Sequence, residues 1–179
     1  MKLWMKAKIA SIHNKIDITD ENKTPVYHVQ SKVLSIHNVT YLKRANGEEV
    51  ATITCKVVSL HETHLIEMRS GQTVELRSEL FHATKDVLDI EALGWQLVGD
   101  LVQHNYRLID VDDEGRLLAR THRKWLSLHN TYEVEIMEEE SADLIVAVLV
   151  ALDKIVCDRE QVIRGSSAGS TAQGSSSQG

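Results

Sequence analysis

A six-residue pattern that returns at a fixed interval constrains this chain more than any other feature. Lys-x-x-Ser-(Ile/Leu)-His begins at Lys8, Lys32 and Lys56, so successive copies start 24 residues apart, and a fourth copy begins at Lys124 outside that register. Asparagine follows three of the four, as Asn14, Asn38 and Asn130. A short fixed period means one supersecondary unit copied in series. Each unit here holds two extended runs around a turn. Ile16-Asp17-Ile18 and the run from Ala51 to Val57 alternate apolar with polar, and the turn signals are Asp20-Glu21-Asn22, Asn46-Gly47 and Ser70-Gly71. Period-two alternation punctuated by Asn-Gly and Ser-Gly specifies hairpins that bury one face. The chain therefore opens with three β-hairpins in succession.

The second half continues less regularly. Trp95 to Val102 and Tyr106 to Asp110 read as strands joined around His104-Asn105. Asp112-Asp113-Glu114-Gly115 turns the chain into Arg116 to Thr121, and Thr131 to Ile136 alternates as one more strand. Roughly ten to twelve short strands at such spacing specify a barrel or sandwich, because closure removes exposed edges.

One segment breaks the pattern. Ala142 to Cys157 is too long for a strand and reads as a helix, with Ser141 as its N-cap, acidic Glu138, Glu139, Glu140 and Asp143 at its start, and Lys154 and Arg159 near its end. It is apolar on every face from Leu144 to Leu152, so it must be surrounded. The apolar stretch stops at Asp143 and Asp153, well short of the roughly twenty residues that a membrane span needs. The expectation is a mainly β fold with this helix buried among strands and no transmembrane span. Residues 165–179 lack apolar periodicity and charge and read as a disordered Gly/Ser-rich tail, leaving 1–164 as one folded domain.

The formal charge of −6 argues against a general nucleic-acid binder, which needs a basic surface to displace counterions. Cys55 and Cys157 stand far apart, outside any metal-ligand spacing, and read as two reduced thiols. Met1 to Lys8 lacks the long apolar core of a signal peptide, so the expected location is cytoplasmic, with peripheral membrane attachment as the variant.

No catalytic constellation emerges. The pairs typified by Ser11 and His13 recur at the hairpin period, whereas an active site is needed once; they read as corner architecture. His61 and His64 lack further ligands at a recognisable spacing. Asp110-x-Asp112-Asp113-Glu114-Gly115 hints at a calcium loop, yet Thr121 stands where an EF-hand requires glutamate, so a solvated hairpin turn is the better reading. No cofactor motif is present. The basic residues are more suggestive. Arg120, His122 and Lys124 fall at i, i+2 and i+4, so one strand face would present all three, and such a face could receive a lipid phosphate.

Taken together, these features resemble the LURP-one-related family, whose fold is that of the tubby C-terminal domain. The resemblance rests on the Lys-x-x-Ser-(Ile/Leu) corners and the hairpin turns. It rests also on Gly94-Trp95-x-Leu97-x-Gly99-Asp100, on Lys124-Trp125-x-Ser127 with Thr131-Tyr132-x-Val134, and on the apolar C-terminal helix. It runs from residue 2 to about residue 160. It implies a closed twelve-stranded barrel wrapped around a central hydrophobic helix. Members often carry glycine where this chain has His13 or His37, which suits a corner of positive φ. Phosphoinositide binding by tubby domains implies a non-enzymatic module for an anionic phospholipid or phosphoinositide. A protein-interaction scaffold and a scramblase-like role are the alternatives.

Overall fold

A computed structural model describes residues 1–6, 15–34, 37–58, 61–77, 87–100, 103–123 and 131–168. Each of the four Lys-x-x-Ser-(Ile/Leu)-His corners falls wholly or partly outside them, so the expected corner geometry lies outside the described residues. The three hairpins of the repeat are present. They pair β2 (Ile16–Thr19) with β3 (Pro25–Leu34), β4 (His37–Arg44) with β5 (Glu49–Val58), and β6 (His61–Met68) with β7 (Thr73–Arg77).

The repeat extends to individual hydrogen bonds. The amides of Asp20, Arg44 and Met68 donate to the carbonyls of Thr24, Glu48 and Gln72, and those of Lys23, Gly47 and Gly71 donate back to Asp20, Arg44 and Met68. Ala45 donates to Val26, and Arg69, one period later, donates to Val50. Each turn needs a left-handed residue at one point. Gly47 and Gly71 supply it at φ +89° and +93°, and Lys23 takes the same position at +65°. A side chain is penalised in that conformation. The Asp20 carboxylate offsets the strain by accepting the amides of Asn22 at 2.9 Å and Thr24 at 2.8 Å. The third hairpin departs in one respect. Register shifts follow Ile18 and Leu42, but β6 and β7 pair without one, which turns Val74 and Leu76 inward and Glu75 outward.

The remaining strands are β1 (Lys2–Lys6), β8 (Val87–Ile90), β9 (Trp95–Asp100), β10 (Asn105–Asp110), β11 (Arg116–Arg123) and β12 (Thr131–Ile136). All twelve form one antiparallel sheet in the order β7-β6-β5-β4-β3-β2-β1-β12-β11-β10-β9-β8. Every neighbour in that order is a neighbour in sequence except β1 and β12, which join the two ends of the chain. The expected barrel is therefore present, and it is nearly closed. Among the described residues β7 and β8 do not pair, and these two edges are short, which limits the unpaired backbone they present.

The expected helix, α1 (Ala142–Ala168), fills the barrel. Every residue from Ile145 to Leu152 is fully buried, as is Ile155, and one apolar core joins these residues to the inward side chains of all twelve strands. A helix apolar on every side has this solution in water, because each buried Val, Leu or Ile contributes about 1.5–3 kcal/mol relative to exposure. The helix differs from expectation at both ends. Ser141 is not its cap: Glu139–Ser141 form a 3₁₀ turn that runs straight into it. At the far end it continues past Cys157 to Ala168, since serine and glycine weaken a helix already started without ending it at once.

The two glycines of the Gly-Trp-x-Leu-x-Gly segment each have a steric reason. Gly94 adopts φ +63° after the 3₁₀ turn Glu91–Leu93, against the Asp112 side chain. Gly99 adopts φ +123°, and a Cβ there would stand 2.6 Å from the Asn105 carbonyl oxygen. The turn that follows places His104 at φ +52°, where histidine is among the tolerated residues.

Candidate functional site

Strand β11 points Leu118, Ala119 and Thr121 inward and leaves Arg120, His122 and Arg123 exposed. Thr121 is anchored against β10: its Oγ1 accepts the Tyr106 amide at 3.1 Å and donates to the Tyr106 carbonyl at 3.3 Å. Arg120 and His122 thus share the outer face, as the two-residue spacing predicted. Lys124 lies outside the described residues.

Register supplies neighbours that spacing along one strand cannot. Arg120 stands opposite Arg107 on β10 and opposite Glu135 on β12, and His122 stands opposite Glu133. The Arg120 Nε and Nη2 atoms both lie 2.5 Å from Glu135 Oε2. Lys2 of β1, the next strand over, reaches Glu133 at 3.5 Å. The outer face of these strands therefore carries Arg107, Arg120 and Lys2 against two carboxylates, an excess of positive charge on an acidic protein. Arg120 presents its guanidinium already engaged by a carboxylate. An incoming phosphate would share it or displace Glu135, with Arg107 as the adjacent cation.

A second feature occupies the end of the barrel where α1 starts. A cleft of about 420 Å³ is lined by Arg44 and Arg69, by Glu48, Glu49, Glu140 and Asp143, and by apolar Val50, Met68 and Leu144. Asp143 is held there by the Tyr27 hydroxyl at 2.8 Å and by Arg44 at 2.7 Å. Burial first, and then this carboxylate, push the Tyr27 hydroxyl pKa upward. Four acidic groups against two basic ones make this cleft unsuited to an anion.

The acidic turn between β10 and β11 is the hairpin turn expected of it. Arg116 closes on Asp113 at 2.6 Å and on Asp110 at 3.7 Å, and pairs also with Glu138. Among the described residues no three of His, Cys, Asp and Glu converge as metal ligands. No described helix is long and apolar enough to cross a membrane.

A third group is buried. His64, His104, Thr40, Thr121, Asp153 and Lys154 sit inside the barrel among apolar side chains. The Thr40 hydroxyl is satisfied by Ser31 at 2.9 Å, and the His104 ring stacks on Tyr132 at 4.2 Å between centroids. Among the described residues His64 has no hydrogen-bond partner at either ring nitrogen. Sequence had grouped it with His61 as a weak metal pair, and only the strand register shows that it points into the core.

Known proteins bear on this chain in three ways. A Bacillus subtilis protein, YxjI, itself described as uncharacterised, is 27% identical over 90 residues, which is 50% of this chain and 54% of that protein. The match thus spans about half the length of that relative. An X-ray structure of a protein from Arabidopsis thaliana superposes over 83% of this chain and 89% of its own, at 15% identity and a TM-score of 0.45. The family model described as LURP-one-related matches residues 1–153, which hold all twelve strands described above and most of the buried part of the helix. This chain belongs to the LURP-one-related family.

Proposed function

We propose that the domain is a non-enzymatic binding module for an anionic phospholipid headgroup, met at a membrane surface by the outer face of β10 and β11. The observation that carries this reading is the juxtaposition of Arg107 and Arg120 across the two strands, with His122 and Arg123 exposed beside them. Guanidinium groups bind phosphate through paired, charge-assisted hydrogen bonds. Two of them on adjacent strands offer more donors than one lipid phosphate needs. Lys124, one step further along the expected strand face, would extend the row. The functional unit is residues 1–164, with 165–179 as a tail outside it, and the protein works in the cytoplasm as a peripheral membrane binder.

The test is flotation with vesicles of neutral lipid, of phosphatidylserine and of phosphoinositide, at low and at physiological salt. Binding to an anionic vesicle that weakens with salt, and that is lost on combining Arg107→Gln with Arg120→Gln, is the expected result. Failure to float with any anionic vesicle at low salt would sink the reading. Proteins would then become the partners to pursue, in keeping with a scaffold role.

A further inference from the structure

The cleft at the end of the barrel where α1 starts has a lining that the fold does not require. The 24-residue repeat shows what the architecture places at the same positions elsewhere. Met68 holds the turn position that Asp20 and Arg44 hold in the other two hairpins, each with its amide donating to the carbonyl four residues on. Glu48 stands where the other turns have Thr24 and Gln72, and Glu49 where they have Pro25 and Thr73. One turn thus presents an apolar side chain where its counterparts carry charge, and its neighbour presents two carboxylates where they carry none. Leu144, in the first turn of α1, lines the cleft from the helix side. It and Met68 are half-buried against the core, and buried Val50 completes an apolar floor.

The walls set the sign of the charge that fits. Arg44 closes on one carboxylate oxygen of Asp143 at 2.7 Å and the Tyr27 hydroxyl on the other at 2.8 Å, so that carboxylate is already engaged. Exposed Glu48, Glu49 and Glu140 then stand against exposed Arg69. The acidic surface continues past the mouth. Thr52 donates to Glu49 Oε1 at 3.3 Å and stands opposite exposed Glu67 of β6. The volume of about 420 Å³ falls within the roughly 300–1,000 Å³ of clefts that hold ligands.

We propose that this cleft receives a lysine or arginine side chain from an exposed basic segment of a partner protein. Such a side chain joins an aliphatic stem to a cationic head, the two chemistries that the floor and the walls offer. The stem lies along Met68 and Leu144, and the flexible thioether of Met68 adapts to its shape. The head is met by Glu48 and Glu140 through charge-assisted hydrogen bonds. A second cation further along the segment meets Glu49 and Glu67, and this continuation favours a protein segment over a free small cation. The proposal is independent of the anion-binding reading, because Arg107 and Arg120 lie on the outer face of other strands.

The experiment measures binding of a fluorescein-labelled peptide of alternating lysine and glycine to the full chain, by anisotropy at low and at physiological salt. The parent is expected to bind, more weakly as salt rises. Glu48→Gln combined with Glu140→Gln should weaken binding about tenfold or more. Glu91→Gln combined with Glu114→Gln removes the same charge outside the cleft and should change binding by less than about twofold. Met68→Gln keeps the length of the side chain but not its apolar surface, and should weaken binding at least about threefold. Absence of binding at low salt overturns the proposal. Equal losses from the two paired variants also overturn it, since net charge alone would then attract the peptide, as does an unaffected Met68→Gln protein. Spermine bound more tightly than the peptide would make a free polyamine the occupant and overturn the protein partner. Should the cleft variants fail to fold, amide resonances of the parent decide. Peptide-induced shifts centred on Gly47, Gly71 and Leu144 support the proposal, and shifts centred elsewhere refute it.

Discussion

Val148→Asp is the sharpest test of the central helix. Val148 is fully buried, and so are its helix neighbours from Ile145 to Leu152. An aspartate there has two courses at pH 7.5, and both are costly. Remaining ionised in a dry core costs several kcal/mol even after relaxation. Remaining protonated costs about 5 kcal/mol, because a group with an ordinary pKa near 3.9 must be held neutral some 3.6 units above it. Loss of the valine contributes another ~1.5–3 kcal/mol, and an unsatisfied carboxyl adds ~1–3 kcal/mol. The sum, roughly 7.5–11 kcal/mol, matches or exceeds the whole stability of many domains. The variant is therefore expected to be unfolded or aggregated at neutral pH. Leu149→Ala is the graded control: it leaves a cavity, should cost about 2–5 kcal/mol, and should lower the melting temperature by roughly 5–15 °C in a domain of this size. Thermal melts by circular dichroism measure both. A Val148→Asp protein melting within a few degrees of its parent would refute the enclosed-helix architecture outright.

Three smaller changes test the strand architecture, each by urea denaturation. Lys23→Gly should stabilise by up to about 1 kcal/mol, since it gives the first hairpin the left-handed residue that Gly47 and Gly71 give the others; a loss of stability would mean that the Asp20 turn depends on the lysine. Gly99→Ala should destabilise by at least ~2 kcal/mol, from strained φ and from a Cβ 2.6 Å from the Asn105 carbonyl; a neutral result would mean that β9 and β10 are further apart than described. Tyr27→Phe should cost about 1.5 kcal/mol by removing the 2.8 Å hydrogen bond to Asp143, which ties β3 to the first turn of α1. An unchanged midpoint there would show that water replaces the hydroxyl without loss.

Much of the fold was legible because two signals agreed at each hairpin. Alternation placed Ile16 and Ile18 on one face, and the 24-residue period placed a turn residue where the chain had to reverse. The enclosed helix was legible for a different reason, since an all-round apolar segment too short to span a membrane has few other places to go. The face proposed for binding was only half legible. Spacing puts Arg120 and His122 on one side of β11, but Arg107, Glu133 and Glu135 reach that face through cross-strand register. Register is a relation between strands, set by the turns and bulges that join them, and no pattern within one strand encodes it. That β7 and β8 do not pair among the described residues was illegible for the same reason: whether a sheet closes depends on accumulated twist and stagger rather than on strand count.

His64 shows where local reading misleads. In β6 the apolar Leu65 is half-buried and the polar His64 fully buried, the reverse of what hydrophobicity alone would assign. The repeat resolves the conflict. Positions 18, 42 and 66, one period apart, are Ile18, Leu42 and Ile66, all fully buried. Two residues earlier the same inward row reads Ile16, Thr40 and His64. The architecture thus fixes the direction of the side chain before its chemistry has a say, because a one-residue slip would turn Ile66 to solvent. Thr40 meets that constraint by bonding to Ser31 on the neighbouring strand. Among the described residues His64 meets it with no such partner. A leucine in its place would meet the same constraint without leaving two ring nitrogens unpaired, so the fold asks for the direction of this side chain and not for its chemistry.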